Sequence, residues 1–430
     1  MFVFTKTRII IISLILLIII FIVAFFLLTK KPPKETPVNL TIWGTHENQV
    51  PISALIEYYK SLRPNVNIIY REFAPATYES ELINLLAINE RPDIFMIHNT
   101  WLQKHKNKMI SAPKEQLPFN DYEATITQIA VDDLTYNNEI FASPLYLDSL
   151  AMFLNKTAME SKGIAFAPKT WDEFKNVVRS LRVIDANTNI IKKSAAAIGG
   201  SEISINRGVD LLQLIMLQSG ITFVKDGRAN FANIFENNKN IGEDALNFYL
   251  DFSDPSSKYY TWNDNLHYSI DDFTEGNTYI IFNYSHQIPI IKEKNPFLRF
   301  EVAPIPQVNP NLPVAFGNYW ALAVSKDSAN PTWAWDFIIE STLIENGADT
   351  YLKASNRPPA MRSLIQKYST DTFYRPFVAQ ALVARSTKLG DVNYITQIFS
   401  RLIQDILIGK ISPKNGLDKA EDEINASLIN

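Results

Sequence analysis

Apolar residues fill positions 9–28 with a single interruption at Ser13, and no other run in the chain is comparable. At about 1.5 Å per residue such a segment spans roughly 30 Å, the hydrocarbon thickness of a bilayer. Lys6 and Arg8 precede it, and Lys30, Lys31 and Lys34 follow it. A cleavable leader has a shorter apolar stretch, about 7–15 residues, followed by a small-x-small site. The sequence Thr29-Lys30-Lys31-Pro32-Pro33 offers no such site, so a retained transmembrane anchor is expected over 9–28. Both flanks are basic, and the charge pattern leaves orientation open. The stretch "KKPPKETP", with residues 29–37 as a whole, reads as a proline-rich linker that cannot be helical.

Beyond the linker the period alternates. Residues 39–43 and 66–70 read as strands, and 51–62 and 77–89 as amphipathic helices. Residues 93–97 read as a buried strand in which Ile94, Phe95, Met96 and Ile97 are apolar on both faces, as in a strand covered by helices on two sides. Strand–helix–strand–helix–strand order predicts a parallel sheet with right-handed crossovers. "NEIFASPLYLDSLAMFLN" (138–155) reads as two short strands that pass between domains. In "PKTWDEF" (168–174), Thr170 and Glu173 form a capping box that starts a helix. Helices are expected over 204–219 and 240–252. Beyond residue 330 six more follow, over 331–341, 343–353, 361–369, 372–386, 391–408 and 412–429.

Composition narrows the chemistry. With no cysteine, disulfides, thiolate metal sites, cysteine nucleophiles and a lipid-bearing cysteine are all excluded. The five histidines show no metal-ligand spacing, and neither a metal nor another cofactor is expected. The segment around the apolar run holds four basic residues (Lys6, Arg8, Lys30, Lys31) and no acid. The remainder of the chain therefore carries 41 − 4 = 37 basic against 45 acidic residues, a net charge of −8. A body of that sign without a basic stripe is a poor nucleic-acid binder. No G-x-S-x-G elbow, P-loop or H-E-x-x-H occurs, so an enzyme is not expected. A glycan-acting enzyme would need two carboxylates across a cleft, which the sequence alone cannot place.

Six stretches, in order, resemble one family. They are "LTIWG" (40–44), "RPDIFMI" (91–97), "PLYLDSLAMFLNK" (144–156), "PKTWDEF", "FTEGNTYIIFNYS" (273–285) and "GKISPKNGLDKAEDEIN" (409–425). Together they are similar to the extracellular solute-binding proteins of ABC importers, the group that includes the maltose- and oligosaccharide-binding proteins. The resemblance covers about 38–430. It implies an α/β, two-lobed, periplasmic-binding-protein-like fold with a hinge and an interlobe ligand cleft, its body outside the cytoplasm. It also implies a small-molecule ligand, here a carbohydrate, and a permease partner. The lobes are expected at 38–145 with 284–352, and at 146–283 with 353–430. A membrane-tethered sensor or adhesion domain on the same fold is the alternative.

Sugar sites combine flat aromatic faces with planar polar side chains that hydrogen-bond hydroxyls in pairs. Where the implied cleft opens, the chain offers Trp43, His46, Glu47, Tyr78, His98, Asn99, Tyr146, Asp148, Trp262, Tyr284, Phe316, Asn318, Tyr319 and Arg357 as candidate ligand-binding residues. Each also has a structural reading, as core packing for the aromatics or as caps and hinge braces for the polar groups.

Overall fold

A computed structural model describes residues 14–15, 17–21, 36–88 and 90–428. The expected anchor and linker lie for the most part outside these residues. Among the described residues no helix is long and apolar enough to cross a membrane.

The first sheet forms as the alternation predicts. Val38–Thr45 pairs in parallel with Val66–Phe73 on one side and with Ile94–His98 on the other. Trp320–Ser325 then adds antiparallel to Ile94–His98, a return from far along the chain. Met109–Ile110 and Ala142–Pro144 complete the sheet against Trp320–Ser325. Ile94, Phe95, Met96 and Ile97 are all buried, which explains a run apolar on both faces.

A second sheet is antiparallel, with Ala151–Asn155 flanked by Ile280–Asn283 and Phe300–Ala303. Its residues alternate between two cores. Met152, Leu154, Ile280 and Phe282 face one cluster, while Ala151, Phe153, Ile281 and Val302 face another. Both faces are therefore covered, and the polar residues are confined to the strand ends at Asn155 and Asn283 and to half-buried Glu301.

Packing refines the expected division of the chain. The first core draws on residues from Leu40 to Leu147 and from Tyr319 to Ala384. The others draw on residues from Leu150 to Ile305 and, later, on Phe316, Phe377 and Leu389–Ile424. Residues 284–305, expected with the first lobe, pack with the second, because Phe300–Ala303 pairs with Ala151–Asn155. Ala360, Met361 and Leu364, expected with the second lobe, pack in the first core.

A small third sheet links the two regions. Ala315–Asn318 pairs antiparallel with Asp148–Ser149 and parallel with Ala384–Arg385. That pairing cuts short the helix expected over 372–386. Helical structure ends at Val383, and Ala384–Arg385 extends to meet Ala315 and Phe316. The capping box forms as read: the Glu173 N–H donates to the Thr170 hydroxyl at 3.2 Å, and the Glu173 carboxylate accepts the Lys169 N–H at 2.6 Å.

Candidate ligand cleft

The linking segments bring together side chains that are far apart in sequence. Tyr146 and Asp148 lie on the first crossing and Tyr284 at the end of Ile280–Asn283, with Asn318 on the next crossing. Arg357 follows Asn356, which closes the helix Glu345–Ser355 in the left-handed conformation (φ 52°).

Asp148 is the organising group. It is buried, and its carboxylate accepts the N–H and hydroxyl of Ser285 (3.0 and 2.5 Å to Oδ2) and the Ser149 N–H (3.0 Å to Oδ1). Arg357 Nη1 donates to Oδ2 at 3.2 Å. Burial raises the Asp148 carboxyl above its ordinary range, with the Arg357 charge and the serine donors opposing. The same guanidinium lies 5.0 Å from the Tyr146 ring centre, a cation–π contact, and Tyr351 stacks on Tyr146 at 6.2 Å. Burial pushes the Tyr146 phenol up to about 12, the Arg357 charge working against it.

A second arginine sits beside Tyr284. Arg207 lies 5.3 Å from that ring centre, and the Tyr284 hydroxyl donates to Asp210 Oδ2 at 2.7 Å. Arg207 and Asp210 approach only to 3.7 Å, too far for a hydrogen bond. His286 stacks on Tyr284 at 6.1 Å. The side chain of Arg207 is 35% exposed although protein surrounds it closely, as expected of a group on a cleft wall. Its charge acts on Tyr146 and His98 as well as on Tyr284 and His286, so it stands between the two regions.

Both neighbouring histidines are held neutral. Burial takes His98 down to about 4, the Arg207 charge adding to the shift and a hydrogen bond with Asn318 opposing it. Burial, with Arg357 and Arg207, takes His286 well below its ordinary value. They supply neutral imidazole donors and acceptors near neutral pH.

His98, Asn99 and Thr100 share a small cavity with Asp210 and Gln213, with Phe316–Asn318, and with the segment Ser386–Gly390. Its volume is about 20 Å3, room for about one water. A small-molecule pocket is typically about 300–1,000 Å3. The walls are tied together here: Lys104 Nζ reaches Glu79 (2.8 Å) and Asp391 (2.7 Å), and the Ser386 hydroxyl donates to Asp133 at 2.5 Å.

The remaining candidates fall into four groups. Phe316 and Asn318 line the cavity. Asn99 and Tyr319 brace it: the Asn99 amide and the Tyr319 hydroxyl both donate to Asp133 Oδ2, at 3.0 and 2.9 Å. Trp43, Tyr78 and Trp262 are buried and present no open face. Trp43 packs on Phe73, with the Arg71 guanidinium 5.0 Å from its ring centre. The Tyr78 hydroxyl donates to Met96 O and Trp43 O. Trp262 Nε1 donates to the Ser204 hydroxyl at 2.9 Å, under a loop whose Gly200 approaches so closely that a Cβ there would lie 2.7 Å from the indole. His46 and Glu47 are exposed, His46 paired with Glu72 at 2.9 Å.

Sequence reading missed Arg207, Asp210 and His286. The signal for Arg207 was the Asn206-Arg207-Gly208 turn, and nothing local marks the other two. Trp320 and Trp101 also belong to the wall beside His98, at 5.6 and 6.4 Å between ring centres.

The family model for bacterial extracellular solute-binding proteins matches residues 54–375. The maltotriose-binding protein of Pyrococcus abyssi (strain GE5 / Orsay) is 24% identical over 141 residues; the match spans 32% of this chain and 30% of that protein's length. The crystal structure of the cyclic α-maltosyl-1,6-maltose binding protein from Arthrobacter globiformis superposes with a TM-score of 0.75. It is 20% identical, over 91% of this chain and 99% of that one. The sugar-binding protein MalE from Xanthomonas citri gives 0.74 at 17% identity, over 91% and 98% of the two chains. At these identities the structural likeness establishes the two-lobed α/β fold.

Proposed function

The chain belongs to the bacterial extracellular solute-binding proteins, and from that premise we propose that it captures a carbohydrate, a sugar or oligosaccharide, between its lobes for delivery to an ABC permease. One observation carries this reading. The cavity walls come from both packing regions, His98–Thr100 from the first and Asp210 and Gln213 from the second. A ligand held there touches both, so its binding energy drives the lobes together. Asn318 on the cavity wall is a planar polar group suited to paired hydroxyls, and Trp320 is a half-buried aromatic beside His98. A saccharide does not fit a cavity of this size, so admission requires the lobes to separate about the crossing segments near Asp148 and Asn318.

The proteins with similar folds include sugar binders, which supports the carbohydrate class. We propose in addition that residues 9–28 are retained as a single-pass anchor with the body outside the membrane. The described part of that run is helical and exposes Leu14, Ile15, Leu17 and Ile18–Phe21. Extraction of membranes at alkaline pH leaves an anchored chain in the pellet and releases a cleaved or peripheral one.

The carbohydrate reading is tested by thermal unfolding of the full-length chain in detergent against linear and cyclic oligosaccharides, amino acids and polyamines. A ligand at 100 times its Kd adds about 2.7 kcal/mol of stability. A shift with saccharides alone is the expected outcome; a shift only with amino acids or polyamines refutes it.

A further inference from the structure

Arg207 is held more firmly than it is partnered. Its backbone is left-handed (φ 67°), a conformation that a long side chain adopts only when its surroundings impose it. The surroundings do impose it. On one side Asn206 is fixed three times: its N–H donates to the Ser269 hydroxyl (2.9 Å), its amide to the Tyr268 hydroxyl (2.8 Å), and its carbonyl oxygen accepts from Asn283 (2.8 Å). On the other, Gly208 packs so closely that a Cβ would meet the Tyr249 hydroxyl at 2.8 Å. The guanidinium that this frame presents is nonetheless under-used. Its Nε is buried without any hydrogen-bond partner, and its nearest carboxylate, Asp210, stands at 3.7 Å.

Such an orphaned N–H in a buried site calls for an acceptor. The acidic groups nearby are committed elsewhere. Asp210 accepts from Tyr284, Asp148 from Ser285, Ser149 and Arg357, and Glu202 from the Val209 N–H at 2.9 Å. His98 and His286 are neutral and compete for no anion. A planar guanidinium whose Nε–H has no acceptor matches the paired oxygens of an oxyanion.

Building on the carbohydrate reading, we propose that the saccharide taken by this cleft is acidic and that Arg207 grips its carboxylate, sulfate or phosphate group. The pre-set backbone makes Arg207 a specificity-determining residue, because no ordering of the side chain's root is needed when the anion arrives.

Calorimetric titration of the full-length chain in detergent tests this with matched probes: a tri-uronate, its carboxyl-reduced neutral counterpart, a sulfated trisaccharide of the same length, and inorganic sulfate. An acidic trisaccharide is expected to bind at least tenfold more tightly than the neutral one, and Arg207→Gln to erase that preference while leaving the unfolding temperature in place. Arg207→Lys should restore part of it, since charge returns without the planar fork. Whether the uronate or the sulfated sugar leads identifies the anion. Equal affinity for neutral and acidic sugars, or an equal loss of both in Arg207→Gln, overturns the proposal and leaves the carbohydrate reading standing. Inorganic sulfate binding as tightly as the sulfated sugar also overturns it. Binding to none of the saccharides overturns both.

Discussion

Two arginine–aspartate pairs stand at the junction of the lobes, and they are built in opposite ways. In Arg357–Asp148 the carboxylate is buried, fully supplied with donors, and within hydrogen-bond reach of its arginine. In Arg207–Asp210 the carboxylate is committed to Tyr284, the distance is 3.7 Å, and the arginine keeps an N–H without an acceptor. Each guanidinium lies over a buried tyrosine, so the aromatic contact is common to both. The difference lies in saturation. The fully supplied carboxylate of Asp148 ties the crossing strands together, whereas the pair at Asp210 leaves one arginine donor unpartnered.

The comparison breaks most sharply at Asp148. Asp148→Ala removes the acceptor of two serine N–H groups, one hydroxyl and one guanidinium at a buried site, and should cost about 3–5 kcal/mol. Urea unfolding measures it, and a loss below about 1 kcal/mol would show that the pair behaves as a surface contact. Next comes Glu202, beside Arg207 and Asp210. Burial, reinforced by the Asp210 charge, raises its carboxyl from 4.5 to about 7. A raised carboxyl favours the folded state when protonated: its contribution is complete below about pH 4.5 and is lost as pH rises through about 7. Unfolding temperatures across that window should therefore fall less steeply in Glu202→Gln than in the parent chain. Asp133, raised to about 6 by burial, keeps part of the slope.

Arg207→Gln should change stability by less than about 1 kcal/mol, because the pair it breaks is long and partly solvated. A large destabilisation in urea would place Arg207 with Arg357 as a brace. The smallest effect is expected at Lys104, which links Glu79 to Asp391 across the two regions and is 41% exposed. Lys104→Met should cost about 0.2–1 kcal/mol or less. It should widen the distance between labels on the two lobes at low salt, and 1 M salt should produce the same widening in the parent chain.

Much of the fold was legible because local rules and tertiary demands agree. Residues 94–97 are apolar on both faces and are buried on both, and Thr170 and Glu173 capped their helix as their spacing requires. The candidate site was legible only where the chain crosses between its packing regions. Tyr146, Asp148, Tyr284 and Asn318 could be proposed because they sit at or beside short strands, and Arg357 because the prolines after it hold an extended loop. Arg207 and His286 escaped, since what draws them together is Tyr284, which lies 77 residues beyond Arg207, and no spacing encodes that contact. Trp43 and Trp262 show the converse. A tryptophan at a strand or loop end reads the same whether its face meets solvent or a neighbouring loop, and here Phe73 and Gly200 cover them.

The sequence by itself determined the strand and helix periods, the order of elements, the absence of thiol chemistry and the long apolar run at 9–28, because each depends on neighbours within a turn or a strand. Tertiary structure alone decided which aspartate brings its arginine within hydrogen-bond reach and which leaves its arginine an N–H without an acceptor. That depends on a carboxylate's whole set of donors, and besides its neighbour Ser149, Asp148 draws on Ser285 and Arg357, which meet it only when the chain has crossed between its lobes.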